Sequence, residues 1–141
     1  MRRRLAHRQW HIGAGLDWLH MPRHTLDENQ IHPAVRARVA GHQRAIVEEV
    51  SAAAQAHAVL VVGMRGNPHP VRARKALAAA GVAHHYLEYG SYLGDWRRRN
   101  ALKMWTGWPT FPMIFVKGVL VGGADDLKRL LESGELKRLL A

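Results

Sequence analysis

Apolar residues recur along this chain first at helical and then at strand spacing. From Pro33 onward, Val35, Val39, Ile46 and Val50 return at intervals of four or seven, and proline suits a first helical turn. This spacing predicts an amphipathic helix over about 33–56. The run Ala58-Val59-Leu60-Val61-Val62 is short, rich in β-branched residues and closed by Gly63, which predicts a buried central strand. Pro70 through Ala80, with glycine following at Gly81, reads as a helix. His84 to Tyr89 reads as a second strand, and Leu93, Trp96, Leu102 and Met104 mark a basic helix over about 92–105. Met113 to Val116, the turn Lys117-Gly118, and Val119 to Val121 predict a hairpin, and Gly122-Gly123 leads into a final helix.

The order β-α-β-α-β-β-α predicts an α/β domain: a mixed four-stranded sheet, its first two strands parallel, with helices on its faces. Residues 1–30 keep neither period, so 1–32 are expected to form an irregular basic, histidine-rich extension before a domain over 33–141. Met21 offers a second candidate start, which would make residues 1–20 an over-extended beginning. No internal repeat or low-complexity tract appears.

Length and composition fit this plan: 141 residues with 48% hydrophobic content suffice for one core. No apolar run approaches the roughly 20 residues that span a bilayer, and the Arg-rich start lacks the apolar stretch of a secretory signal, so a cytoplasmic protein is expected. Charge changes the picture more. Lys and Arg number 21 against 11 Asp and Glu, a formal +10, which favours anionic partners. Between Arg65 and Lys103 stand eight basic residues (Arg65, Arg72, Arg74, Lys75, Arg97, Arg98, Arg99, Lys103) against Glu88 and Asp95. A solvated helix face is the plain reading of such a run, and an anion site is the sharper one.

Cysteine is absent, which removes disulfides, thiolate nucleophiles and cysteine-held zinc or iron–sulfur clusters built from this chain alone. Ten histidines raise the question of a metal, but five of them lie in or beside the irregular start, and no metal is expected. His69, in a loop near several arginines, is either a plain exposed histidine or a proton donor and acceptor. Gly122-Gly123-Ala124-Asp125 opens a helix. There, backbone N–H groups favour a carboxylate and an Asp accepts from an ammonium group, although an unliganded N-cap explains the same residues. Trp96, Trp105 and Trp108 with Tyr86 and Tyr92 can stack on bases, though Trp105 and Trp108 read more economically as core or site-wall residues.

The segment Trp108-Pro109-Thr110-Phe111-Pro112, with Ile114-Phe115-Val116-Lys117-Gly118 and Val121-Gly122-Gly123, resembles the signature stretch of monothiol glutaredoxins. Met64-Arg65-Gly66 and Ser133-Gly134-Glu135-Leu136 are similar to further family positions, so the resemblance covers roughly 58–141. It implies a thioredoxin-like fold and a glutathione groove. Where the family carries Cys-Gly-Phe-Ser, this chain has Asn67-Pro68-His69-Pro70 after a shortened loop, and a second family cysteine position is Ala124.

By that resemblance Pro112 is a cis-proline, next to which an extended peptide pairs with Phe111, and Thr110 belongs to the same stretch. Arg65 stands for a lysine at glutathione's thiol end, Asn67 for the nucleophile, and Arg99 and Lys103 for the basic residues that address the glycine carboxylate. Gly123, Ala124 and Asp125 are placed at the γ-glutamyl end.

The expected function is a non-catalytic module that binds glutathione or docks a partner. One alternative is a glutathione-dependent oxidoreductase or transferase in which glutathione supplies the thiol, with Arg65 and His69 assisting. Another is an accessory in iron–sulfur or redox homeostasis, with no cluster bound by this chain. Nucleic-acid binding through the Arg-rich helices and Arg2, Arg3 and Arg4 is the least favoured.

Overall fold

A computed structural model describes residues 21–141, so expectations for residues 1–20 lie outside the described residues. The chain divides into two units between Arg36 and Ala37. In the first, Asp27 caps a short 3-10 turn at Glu28–Gln30, accepting from the Asn29 N–H at 3.0 Å, and Arg36 donates to the Glu28 carboxylate at 2.8 Å.

The expected single helix over 33–56 is two helices, α1 at Pro33–Gly41 and α2 at Arg44–Ala56, broken where Gln43 takes a left-handed φ of 48°. The cause is legible. Between Val39 and Ile46 no large apolar residue faces a core, and Gly41 is a poor helix former, so nothing holds the helix straight there. α1 buries no residue, whereas α2 buries Ile46, Val50 and Ala54 at four-residue spacing.

The second unit continues with β1 (Val59–Gly63), α3 (Pro68–Ala79), β2 (His85–Glu88), α4 (Trp96–Thr106), β3 (Met113–Val116), β4 (Val119–Gly122), α5 (Ala124–Glu132) and α6 (Glu135–Leu140). The sheet order is β2-β1-β3-β4. β1 and β2 run parallel with Val61 opposite Tyr86; β1 and β3 run antiparallel with Val61 opposite Ile114. Lys117 and Gly118, at φ 49° and 80°, make the tight turn of the β3–β4 hairpin. This is the thioredoxin-like arrangement that the element order implies.

Alternation along β1 divides the core. Leu60 and Val62 join Ile46 and Val50 of α2 and Leu102 of α4 on one face, while Val59 and Val61 join Leu77 of α3, Leu127 of α5 and Leu136 of α6 on the other. Because both faces are covered, all five residues of β1 are buried, and the strand reads in sequence as a continuous apolar run.

Two further boundaries shift. The final helix is interrupted by Gly134 at φ 76°, giving α5 and α6. The basic helix begins at Trp96 rather than at 92, because Tyr92 and Leu93 lie in a preceding turn closed by a Ser91–Gly94 bridge, with Leu93 99% exposed. Among the described residues, no helix is long and apolar enough to cross a membrane.

Candidate functional site

The site lies where α3 and α5 begin, beside the Phe111–Pro112 peptide that enters β3. That peptide is cis, and Phe111 and Pro112 are both buried. Asn67 stands at the N-cap of α3: its Oδ1 accepts from the His69 N–H at 2.9 Å, and its Nδ2 donates to the Phe111 carbonyl at 3.4 Å. The carboxamide is 8% exposed. At the place that the resemblance assigns to the nucleophile, this chain therefore holds a helix cap tied to the strand entry.

α5 begins next to it. Gly123 is buried, and a β-carbon there would lie 3.6 Å from the Pro112 carbonyl oxygen and 3.7 Å from the Trp108 ring. The Trp108 Nε1 is buried and has no hydrogen-bond partner among the described residues. Gly123 donates its N–H to Asp126 Oδ2 at 2.9 Å. Gly122 has φ 112°, and a β-carbon there would come within 2.4 Å of the same Asp126 oxygen, so this position requires glycine. Asp126 is thus the capping residue, which leaves Asp125, the expected ligand residue, outward and exposed.

Asp125 has a partner that the sequence did not disclose. Arg72 of α3 donates to Asp125 Oδ1 at 2.8 Å through Nη1, and its Nη2 lies 3.0 Å from His69 Nδ1. A guanidinium only donates, so His69 Nδ1 accepts, and a neutral ring carries its proton on Nε2. The Arg72 hydrogen bond, followed by its charge, lowers the Asp125 carboxyl from its ordinary value, against a smaller opposing effect of desolvation and with lesser help from Arg129. Asn67, His69, Arg72 and Asp125 form one polar chain from α3 to α5.

The other expected residues divide between this junction and the turn before α4. Lys103 Nζ lies 5.8 Å from the Phe111 ring centroid, facing the site. Thr110 is exposed beside Phe111, and Ala124 is buried in the first turn of α5. Arg65 is exposed; its backbone N–H donates to the Gly90 carbonyl at 2.7 Å. Arg99 points elsewhere. It is 6% exposed, and its Nη1 donates to the Tyr89 carbonyl at 2.9 Å and also to the Gly94 carbonyl, clasping both ends of the turn before α4.

An iron–sulfur cluster does not fit this donor set: the chain has no cysteine, and the Asn67 amide at the start of α3 is engaged on both sides. Among the described residues no group of three or more His, Cys, Asp or Glu is arranged to hold a metal ion.

A family model described as Glutaredoxin matches residues 59–121, from the start of β1 into β4. The chain is 45% identical over 91 residues to a glutaredoxin-like protein of Dictyostelium discoideum, covering 64% of this chain and 74% of that protein. It is 35% identical over 84 residues to a mitochondrial monothiol glutaredoxin-S4 of Oryza sativa subsp. japonica, covering 57% of this chain but only 45% of that one. Among solved structures, a buckwheat glutaredoxin–glutathione complex superposes with a TM-score of 0.63 at 21% identity, covering 71% of this chain and 91% of that chain. The fold, the family match across the sheet and the Dictyostelium relative agree: this chain belongs to the glutaredoxin family, among relatives that include monothiol glutaredoxins, and it carries no cysteine.

Proposed function

We propose that this chain is a cysteine-free glutathione-binding module of the glutaredoxin family, one that holds the tripeptide without thiol exchange. The observation that carries this reading is the approach of Pro112 and Trp108 to Gly123, where the buried Trp108 Nε1 has no hydrogen-bond partner among the described residues. A buried donor left without an acceptor costs free energy, and a carbonyl or carboxylate of a bound peptide would satisfy it. Glutathione, which a buckwheat glutaredoxin of the same fold carries, is the ligand to test.

Its parts have chemical complements at the junction. The exposed Arg72–Asp125 pair offers an acceptor for an ammonium group and a donor for a carboxylate; Lys103 offers a cation beside Phe111. Asn67 supplies an amide in place of a thiolate. Thiol–disulfide exchange proceeds by attack of a thiolate on a disulfide sulfur, and no residue of this chain provides one. The proposal places the protein in the cytoplasm, as a sensor of glutathione or as an adaptor whose groove responds to it.

Calorimetric titration of glutathione into the full chain tests this directly, beside Arg65→Ala and Asp125→Ala. Binding that weakens in both variants supports the groove. Absence of binding to the unaltered chain rejects it and leaves the family signature as scaffold.

A further inference from the structure

Among the described residues, ten large hydrophobic side chains are exposed, and five of these fall within the short stretch 92–105: Tyr92, Leu93, Trp96, Met104 and Trp105. On α4 the buried residues are Arg99, Ala101 and Leu102, which turns Trp96, Arg97, Asn100 and Met104 outward along one stripe. Leu93 is 99% exposed, Tyr92 70% and Met104 69%. Single exposed apolar residues are ordinary; several displayed on one turn and along one helix stripe mark a contact surface.

The turn that presents Tyr92 and Leu93 is firmly built. Arg99 clasps the carbonyls of Tyr89 and Gly94, the Leu93 N–H donates to Ser91 Oγ at 3.2 Å, and the Gly94 N–H donates to the Ser91 carbonyl at 3.2 Å. Gly90, at φ 63°, has no room for a β-carbon, which would sit 2.4 Å from Asp95 Cβ. A buried arginine thus fixes the backbone from which Tyr92 and Leu93 project. Binding gains from such preorganisation, because less freedom is lost on contact.

Charge selects the partner. Arg97, on the stripe itself, lies over the Trp96 ring at 5.1 Å, and the nearby acid Asp95 is already paired with Arg98 at 3.0 Å. Tyrosine, tryptophan, methionine and arginine together are the composition of protein interfaces, whereas aliphatic Leu93 and Met104 add little to stacking on bases. We propose that the 90–94 turn and the outer stripe of α4 form a docking surface for an acidic protein segment bearing apolar side chains. It stands apart from the glutathione reading, since Leu93 and Trp96 belong to none of the site contacts.

The test is a displayed library of random peptides of about 16 residues, selected on the full chain. The enriched peptides are resynthesised and titrated against the unaltered protein, Leu93→Asp and Trp96→Ala, with circular dichroism confirming that the variants fold. The expected result is enrichment of net-acidic peptides with apolar anchors, whose affinity drops about tenfold or more in both variants and is unchanged in Asp125→Ala. Enriched peptides that are neutral or basic, or that bind both variants normally, overturn the proposal. So does a single-stranded oligonucleotide that displaces them at lower concentration, or a dimer in sedimentation that Leu93→Asp dissociates, since these assign the surface to nucleic acid or to a second copy.

Discussion

Arg72 in the second turn of α3 reaches Asp125 in the first turn of α5 at 2.8 Å, joining the two helices across 53 positions of sequence. The pair is exposed on both sides, so its contribution to stability is modest and screened by salt. Its sign with pH is nonetheless definite. Because Asp125 has a folded value below its unfolded one, the stabilisation is present above the ordinary carboxylate value and is lost as pH falls through the folded value. Thermal melts of the unaltered chain and Asp125→Asn are therefore expected to differ near pH 7 and to converge below about pH 4. A gap that persists in acid would show that Asp125 acts by something other than its charge.

Asn67 is expected to behave as a cap. Asn67→Ala should lose about 1 kcal/mol in chemical denaturation, with Asn67→Asp retaining most of it. Asn67→Cys would place a thiol at the first turn of α3, where the helix N-terminus favours a thiolate. The pH profile of its alkylation should give a midpoint below about 8.5. A midpoint at or above that value would mean that this position no longer activates sulfur.

The buried Arg99 clasp is expected to matter far more than the residues it displays. Arg99→Ala removes charged donors from two carbonyls and should cost about 2 kcal/mol, with faster amide exchange at Leu93 and Gly94. Leu93→Ala, at a fully exposed position, should change stability by no more than about 0.5 kcal/mol. Equal effects in denaturant titrations would contradict this division.

Tyr86 and Tyr89 give the alkaline counterpart. Burial, then the hydrogen bond to Glu88, pushes the Tyr86 hydroxyl up to about 12; burial, then Glu49, raises that of Tyr89 as well. The folded state keeps these protons while the unfolded chain releases them, so stability falls as pH rises from about 10 through 12. Tyr86→Phe should flatten that decline in melts followed between pH 9 and about 12. An unchanged slope would remove Tyr86 from the account.

Much of this fold was legible in sequence because its strands are short apolar runs with sharp ends: Gly63 closing β1, and Lys117-Gly118 between β3 and β4. The break at Gln43 was hidden, since Val39 and Ile46 keep a helical interval even though Val39 remains 55% exposed. Asn67, Phe111, Pro112 and Gly123 could be placed together by family resemblance. Arg72 could not be assigned to Asp125, because packing of α3 against α5 is a tertiary fact that leaves no local pattern. Arg99 misled for a related reason. The family resemblance put it at a basic ligand position, while the glycines at Gly90 and Gly94, which mark the turn it clasps, carried the competing signal.

The clasp around residues 90–94 also has an evolutionary meaning. Arg99 grips the backbone carbonyls of Tyr89 and Gly94 rather than the side chains between them. Backbone contacts are indifferent to side-chain identity, so Tyr92 and Leu93 can be exchanged without dismantling the turn. The segment is in effect an interchangeable tip on a fixed mount, a place where a lineage could change its partner while the sheet beneath stays as it is.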